Sequence, residues 1–426
     1  MARQYISTIL GKAVKSAAQL RGGGSALPGL VVEKLDPGFL ARTLGQLPHG
    51  VVIISGTNGK TTTTKIVVEL LESAGLRVFT NRTGSNFSRG VVAALLGEVN
   101  LKGRVQADIA VLELDEAWAA KFVEQVKPRF SLLLNVLRDQ LDRFGEIDST
   151  AKLLEKIAMA TTDTVVLNRD DPRVYAISRK CTAQTAFFGT TSELLALMPT
   201  DDGLKRGGET ANTAVAADVL LQSISSDHSA TFIIDSQPHT TRLALSGIYN
   251  ILNSAAALSL VRHIVAATDA PLTTDQLLQQ LSLVRPAFGR GEIIIVDGTP
   301  VELLLVKNPS GFRLSLLSFA EPRPTMIAIN DNYADGRDMS WLWDVDFDCL
   351  KQQGVARVTG SRAYDMALRL RYDDVPFGAV DVDIVTSLQA FISTEPDVPK
   401  RIFCTYTAML TIRRALAKVA DVETVL

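Results

Sequence analysis

The sequence predicts an α/β protein: a central domain on a doubly wound parallel sheet, then a second, Rossmann-like α/β domain. Three observations predict it. From about residue 47, short β-rich apolar runs alternate with helical patterns, the signature of parallel strands joined by crossover helices. One such run is followed at once by Gly56-Thr57-Asn58-Gly59-Lys60-Thr61-Thr62, which opens a helix. After a hinge at Pro286 to Arg290, a second alternation runs to the end.

Taken in order, residues 1–46 read as an amphipathic helix and a linker. Arg3, Lys12, Lys15 and Arg21 stand among apolar residues, without the unbroken apolar core of a secretion signal. The helix is expected to pack on the domain or a partner, with a membrane-surface role as the alternative. Gly22-Gly23-Gly24-Ser25 is a flexible joint. The central domain spans 47–285. Its strands are expected at 51–55, 109–114, 130–135 and 164–168, with a helix at 61–74. Residues 192–245 are rich in Asp, Ser, Thr and Gly and read as a β-rich insertion or small subdomain, with a hairpin of 231–234 and 241–245. A helix resumes at 245–267. The last domain, 286–426, has strands expected near 292–296, 301–306, 326–330 and 401–405.

The glycine-rich loop carries the clearest chemistry. Backbone N–H groups in such a turn point inward at phosphate oxygens, and the helix start adds partial positive charge. Lys60 can neutralise β and γ phosphates, and the Thr61 hydroxyl can hold Mg²⁺. Leu112-Glu113-Leu114-Asp115-Glu116 ends a strand, where sheets of this class bind ligands; Glu113 can hold Mg²⁺ or order its waters. Asn135 to Gly145 follows another strand, and Asp139 and Asp142, three apart, can share a helical face toward metal.

Composition excludes other classes. A chain of 426 residues suggests two or three domains. The 44 Lys and Arg against 46 Asp and Glu exclude a strongly basic nucleic-acid binder and an acidic tail. Cys181, Cys349 and Cys404 lie far apart with no CxxC, which excludes a disulfide scaffold and a cysteine zinc knuckle; reduced thiols and a cytoplasmic location follow. No run reaches the ~18 apolar residues of a membrane span. Cys404, on an apolar strand, reads as core rather than as a nucleophile.

The three motifs, in this order, resemble the Mur ligase family, whose central domain carries a GTNGKT/S loop, an acidic strand end and an Asn-x-x-x-Asp-His-x-Asp segment. Asn168-Arg169-Asp170-Asp171-Pro172, Gly247-Ile248-Tyr249-Asn250-Ile251-Leu252-Asn253 and Phe288-Gly289-Arg290-Gly291-Glu292 resemble further family motifs. The resemblance implies a central P-loop ATPase domain, ATP and Mg²⁺ as cofactors, Asn250 on the nucleotide and Arg290 near its phosphates. Gln140 and Tyr249 stand where the family has histidines. Only about 50 residues precede the loop, so the usual UDP-sugar-binding domain is not expected.

Within that family, Val306-Lys307-Asn308-Pro309-Ser310-Gly311-Phe312, the run from Asn330 to Asp344, and Thr405-Tyr406-Thr407-Ala408-Met409-Leu410 resemble the MurT group, synthetase subunits of lipid II isoglutaminyl synthase. That likeness implies an enzyme of peptidoglycan synthesis working as a heterodimer with a GatD-type glutaminase, on lipid II at the inner face of the membrane. Its chemistry is phosphorylation of the D-glutamate α-carboxylate to an acyl phosphate, then attack by ammonia to give D-isoglutamine. Lys60 and Glu113 would serve the phosphoryl transfer, with Thr61, Glu113 and Asp139 on Mg²⁺. Asp338 or Asp335, with Asp344 behind them, would complete the partner's triad. Lys152 and Lys156 are open candidates for a carbamylated lysine. The group often carries a four-cysteine zinc ribbon, but residues 192–241 lack cysteine, and His228 with His239 cannot make a four-ligand site, so no zinc is expected. Trp341 and Trp343, if extended, would share one face. Two alternatives stay in view: an amino-acid-adding Mur or folylpolyglutamate-type ligase, and a nucleotide-binding regulatory scaffold. The C-terminal Asn330-Asp331-Asn332 run argues against the first, and intact Lys60, Thr61, Glu113 and Asp139 against the second.

Overall fold

The computed structural model describes residues 2–20, 26–81, 88–137, 147–196, 198, 215–225, 229–245, 247–268, 270, 272–286, 289–318 and 322–422. Two sheets organise them. In the first, β1 (Val51–Ser55), β2 (Val78–Thr80), β3 (Ile109–Glu113), β4 (Phe130–Leu133), β5 (Thr164–Asn168), β6 (Gln184–Thr190) and β7 (Val219–Ile224) run parallel. β8 (Ser229–Ile234) and β9 (Gln237–Arg242) complete it antiparallel. The order is β2-β3-β1-β4-β5-β6-β7-β8-β9. β1 therefore lies between β3 and β4, and the crevice at its C-terminal end is a switch point, where α/β sheets receive ligands.

β1 is buried on both faces, as parallel strands covered by helices must be. Val52 and Ile54 pack toward Ile66 and Val67 of the helix Lys60–Ser73 and toward the helix Ile248–Ala266. Val51 and Ile53 pack with Phe79, Val91 and Leu95 on the opposite face. The helix Ile248–Ala266 is apolar nearly all round because it is enclosed between the sheet and Lys60–Ser73.

The β-rich segment differs from its expected form. β7, β8 and β9 extend the main sheet instead of standing apart, because β7 pairs in parallel with β6. The hairpin is also tighter. Asp235 and Ser236 both take positive φ, 50° and 62°, so a two-residue turn joins β8 to β9 directly.

The second sheet has the order β10-β11-β15-β12-β13-β14. It contains β10 (Arg290–Val296), β11 (Thr299–Leu305), β12 (Thr325–Ala328), β13 (Val355–Thr359), β14 (Phe377–Asp381) and β15 (Lys400–Cys404). β10 and β11 form an antiparallel hairpin; the others are parallel. β13 and β14 escape sequence reading because they are short and interrupted by Arg357 or Asp381, and β14 is largely exposed. Phe312 anchors one face of this sheet, with ring centroids 5.2 Å from both Phe347 and Phe403.

The two tryptophans do not share a face. Ser340–Asp344 is a 3₁₀ turn, which sends Trp341 into the core at 8% exposure and leaves Trp343 at 48%, edge-on to Tyr372. Cys404 is fully buried in β15, where desolvation pushes its thiol well above the usual range, against nucleophilic use. Among the described residues no helix is long and apolar enough to cross a membrane.

Candidate active site

The site begins where β1 ends. At Gly56 (φ 134°) an added Cβ would come within 3.0 Å of the Asn135 nitrogen, and at Gly59 (φ 89°) within 2.5 Å of Asn253 Oδ1. A side chain at either position would take a disfavoured backbone region; at Gly56 it would press on backbone, and at Gly59 it would push the Asn253 side chain aside. The loop is held to the end of β4. Thr57 N donates to Asn135 O at 3.0 Å and Asn58 N to Asn135 Oδ1 at 2.8 Å. Asn135 Nδ2 returns a bond to Asn58 O at 3.0 Å. The Thr57 hydroxyl accepts from Leu137 N at 3.1 Å. A loop braced this way presents the N-terminus of Lys60–Ser73 with its cradle already formed.

Lys60 is buried and folds back over the loop. Its Nζ donates to the carbonyls of Gly56 and Thr57 and lies 3.5 Å from Glu116 Oε2. Thr61 Oγ1 donates to Glu113 Oε1 at 2.8 Å. Asn81 grips the Glu113 backbone from both sides, Nδ2 donating to its carbonyl at 2.7 Å and Oδ1 accepting from its N–H at 3.0 Å. This hydroxyl and carboxylate are hard oxygen donors, and with the glycine cradle they fit a Mg²⁺-bound phosphate chain. Asp139, with Gln140, Asp142 and Arg143, lies outside the described residues. Lys152 and Lys156 are exposed on the helix Ile147–Ala160.

Arg290 opens β10 and reaches the same place. Its Nη1 is buried with no hydrogen-bond partner among the described residues. Burial pulls its pKa below the ordinary guanidinium range, while the nearby Glu113 and Tyr406 act in the opposite sense. Guanidinium remains cationic under such pressure, so a buried cation with an unmatched donor faces the loop's carboxylate. Asn250 Nδ2 donates to Arg290 O at 3.4 Å, tying the helix Ile248–Ala266 to the hinge.

A cleft adjoins the loop, lined by residues including Asn135, Asp171, Pro172, Tyr249, Leu252 and Asn253. Its floor is a hydrogen-bonded turn. Asp171 caps the helix Pro172–Ile177 and accepts from Val136 N at 2.7 Å; Asn168 Nδ2 donates to Leu134 O at 2.9 Å. Burial raises the pKa of Asp171, and three backbone N–H groups oppose that rise.

Four contributors were not among the expected site residues. Glu116 pairs with Lys60, and Asn81 orients Glu113. From the second sheet, Asn308 Nδ2 donates to Asn58 Oδ1 at 2.9 Å and Lys307 Nζ to Thr57 O at 3.2 Å. Lys307 and Asn308 belong to the motif of residues 306–312, but nothing in their spacing shows that they meet residues 250 positions away.

The structure separates the candidate aspartates. Asp335 is 3% exposed and accepts from Thr407 N at 2.7 Å, Thr407 Oγ1 at 2.5 Å and Asn332 N at 3.1 Å. It thereby satisfies the start of the helix Tyr406–Leu416. Burial raises its pKa. Asp338 is exposed, with Oδ1 accepting from Ser340 N at 2.9 Å. Asp344 is half-buried, and its carbonyl accepts from Arg313.

Comparison with known proteins gives a consistent picture. Residues 54–261 match the Mur ligase middle domain and residues 305–409 the MurT ligase C-terminal family. The chain is 30% identical to the MurT subunit of the glutamine-hydrolyzing lipid II isoglutaminyl synthase of Streptococcus pneumoniae, across 93% of each chain. It is 28% identical to the Staphylococcus aureus (strain COL) subunit, across 88% of this chain and 89% of that one. Among solved structures, MurF ligase from Thermotoga maritima in complex with ADP superposes with a TM-score of 0.67 at 19% identity, over 92% of this chain and 83% of that one.

Proposed function

The chain belongs to the MurT family of Mur ligases, which makes it a ligase of peptidoglycan synthesis, and we propose that it amidates the D-glutamate α-carboxylate of the lipid II stem peptide. One observation carries this reading at the level of chemistry. Lys60, the Thr61–Glu113 pair, Arg290 and the Lys307–Asn308 pair converge on one helix start from both sheets. That is a site for phosphoryl transfer, with cations around a phosphate chain and the second domain closing over it.

In this reading ATP binds with its phosphates on residues 56–62 and its base in the adjoining cleft beside Asn250. A substrate carboxylate oxygen attacks the γ-phosphorus, the bond to ADP breaks, and an acyl phosphate forms. Ammonia attacks the acyl carbon, inorganic phosphate leaves, and a proton is released with the amide. Lys60 and Arg290 neutralise the oxygens on which charge develops. Thr61 and Glu113, with Asp139, would hold Mg²⁺, which when bound supplies further charge neutralisation. Ammonia is mostly ammonium at neutral pH, so a GatD-type glutaminase subunit is the proposed source. Asp338, being exposed, is the favoured aspartate to orient that partner's histidine.

The test is to co-express the chain with such a glutaminase and supply lipid II, ATP, Mg²⁺ and amide-¹⁵N glutamine. Label in the stem peptide, dependent on ATP and both chains, is expected. ATP turnover driven by a free amino acid, with no label in the peptide, would overturn the reading in favour of an amino-acid-adding ligase.

A further inference from the structure

The helix Ala2–Leu20 packs antiparallel to Ala26–Leu35. Ser7 Oγ donates to Asp36 Oδ2 at 3.0 Å, Gly11 lies against Val32 and Leu96, and Lys15 Nζ donates to Ala93 O at 3.1 Å. Residues 7, 11 and 15 therefore face the protein. The outer face is apolar where a water-facing surface would be polar. Ile9 is 39% exposed, Leu10 44%, Leu27 53% and Leu35 46%. Ala13 is exposed beside Leu10, and Leu27, Val31 and Leu35 recur at i, i+4 and i+8 along the second helix. Exposed apolar residues grouped on one helical pair mark a docking surface more than scattered ones do.

Charge says what docks there. Residues 1–36 carry Arg3, Lys12, Lys15, Arg21 and Lys34 against Glu33 and the buried Asp36, although the whole chain has net charge −2; of these, Lys15 is turned inward onto Ala93 O and Glu33 pairs with Arg89. Lys34 is exposed beside Leu35, and Lys12 is half-exposed on the flank of Ile9 and Ala13. Apolar side chains on one face with cations at the flank and almost no carboxylates suit the boundary between acyl chains and anionic headgroups.

We propose that the outer face of these two N-terminal helices docks the enzyme on an anionic bilayer, with Ile9, Leu10, Leu27 and Leu35 entering the headgroup boundary and Lys12 and Lys34 on the lipid phosphates. The inference rests on the lipid II reading for its biological sense, because a lipid-anchored stem peptide is reached from the membrane surface. Its physical basis is the exposed face and the charge at its flank.

The test is flotation of the full chain with vesicles of phosphatidylglycerol in phosphatidylcholine, against pure phosphatidylcholine. Binding to the anionic vesicles that weakens with added salt is expected. Leu10→Glu with Leu35→Glu should abolish it. Lys12→Gln with Lys34→Gln should weaken it roughly twentyfold or more, at about fivefold per lysine. Both variants, paired with the glutaminase, should amidate detergent-solubilised lipid II at the unaltered rate, which also shows that they fold. Amidation without vesicle binding would overturn the docking face and leave the amidation reading standing. Vesicle binding without amidation would do the reverse. If the unaltered chain ignores vesicles but forms a dimer that Leu10→Glu with Leu35→Glu dissolves, the face serves self-association and the membrane proposal fails.

Discussion

At the scale of single residues, the site is a balance of a few buried charges. Lys60 is satisfied by two loop carbonyls and Glu116, so a phosphate must offer it more than these do. A polyphosphate does so, because hydrogen bonds between two charged groups are stronger than bonds to neutral carbonyls. Lys60→Ala should therefore cut ammonia-driven amidation on the order of a hundredfold to a thousandfold, as loss of one transition-state donor does. Pull-down should show the two-subunit complex still assembled; substantial residual turnover would refute the phosphate role. The two aspartates should part company. Asp338→Asn should lower glutamine-driven amidation on the order of a hundredfold or more while sparing ammonia-driven amidation. Asp335→Asn should impair both nitrogen sources equally, because it loosens the helix Tyr406–Leu416 and costs about 1–3 kcal/mol of stability. Its pH signature follows from burial. The folded state holds the Asp335 proton more tightly than the unfolded state does, so this group makes stability fall as pH rises from its ordinary value through its raised one. Asp335→Asn should remove that part of the slope in melting temperature across mildly acidic pH; an unchanged slope would show that other carboxyls carry it.

At the scale of elements, the loop works because three strand ends and one helix meet without room to spare. Gly59 sits in the left-handed region with Asn253 against the place of its missing Cβ. Gly59→Ala adds about 1–2 kcal/mol of backbone strain and a clash at the phosphate cradle. ATP affinity should fall more than about tenfold by calorimetry. Adding Asn253→Gly to Gly59→Ala removes the clash but keeps the strain, so affinity should recover in part. No recovery at all would mean that Asn253 makes its own contribution to nucleotide binding, a coupling the double-mutant cycle measures.

At the scale of the whole molecule, the two sheets meet across the phosphate loop. Asn58 and Asn308 exchange side-chain hydrogen bonds, Lys307 reaches Thr57 O, and Lys65 Nζ reaches Pro286 O at 3.3 Å. The second sheet thus touches the loop directly. Asn308→Ala should lower kcat for ammonia-driven amidation roughly tenfold, the equivalent of one lost hydrogen-bonded pair. ATP affinity should change less, because the cleft proposed for the base is lined by residues around the first sheet and by none from the second. A large loss of ATP affinity with kcat unchanged would assign Asn308 to nucleotide binding instead of closure.

The loop 56–62, the strands β1 and β5, and the helix after the loop were legible from sequence because their signals are local. Apolar runs of strand length, glycine where φ must be positive, and helical spacing are all read within a dozen residues. Glu113 was legible for the same reason, as a carboxylate at a strand end. Glu116, Asn81, Lys307 and Asn308 were not, because their part in the site comes from pairing across the chain, over 32 residues in the Asn81–Glu113 case and 250 in the Asn58–Asn308 case. Only strand order and the packing of the two sheets decide such meetings. The choice between Asp335 and Asp338 was equally closed to sequence. Both sit in one polar run, and what separates them is burial. Thr407, 72 residues further on, takes up Asp335, while Asp338 stays in water. Local chemistry is written in neighbouring residues, whereas solvent exposure and long-range partners belong to the packed chain.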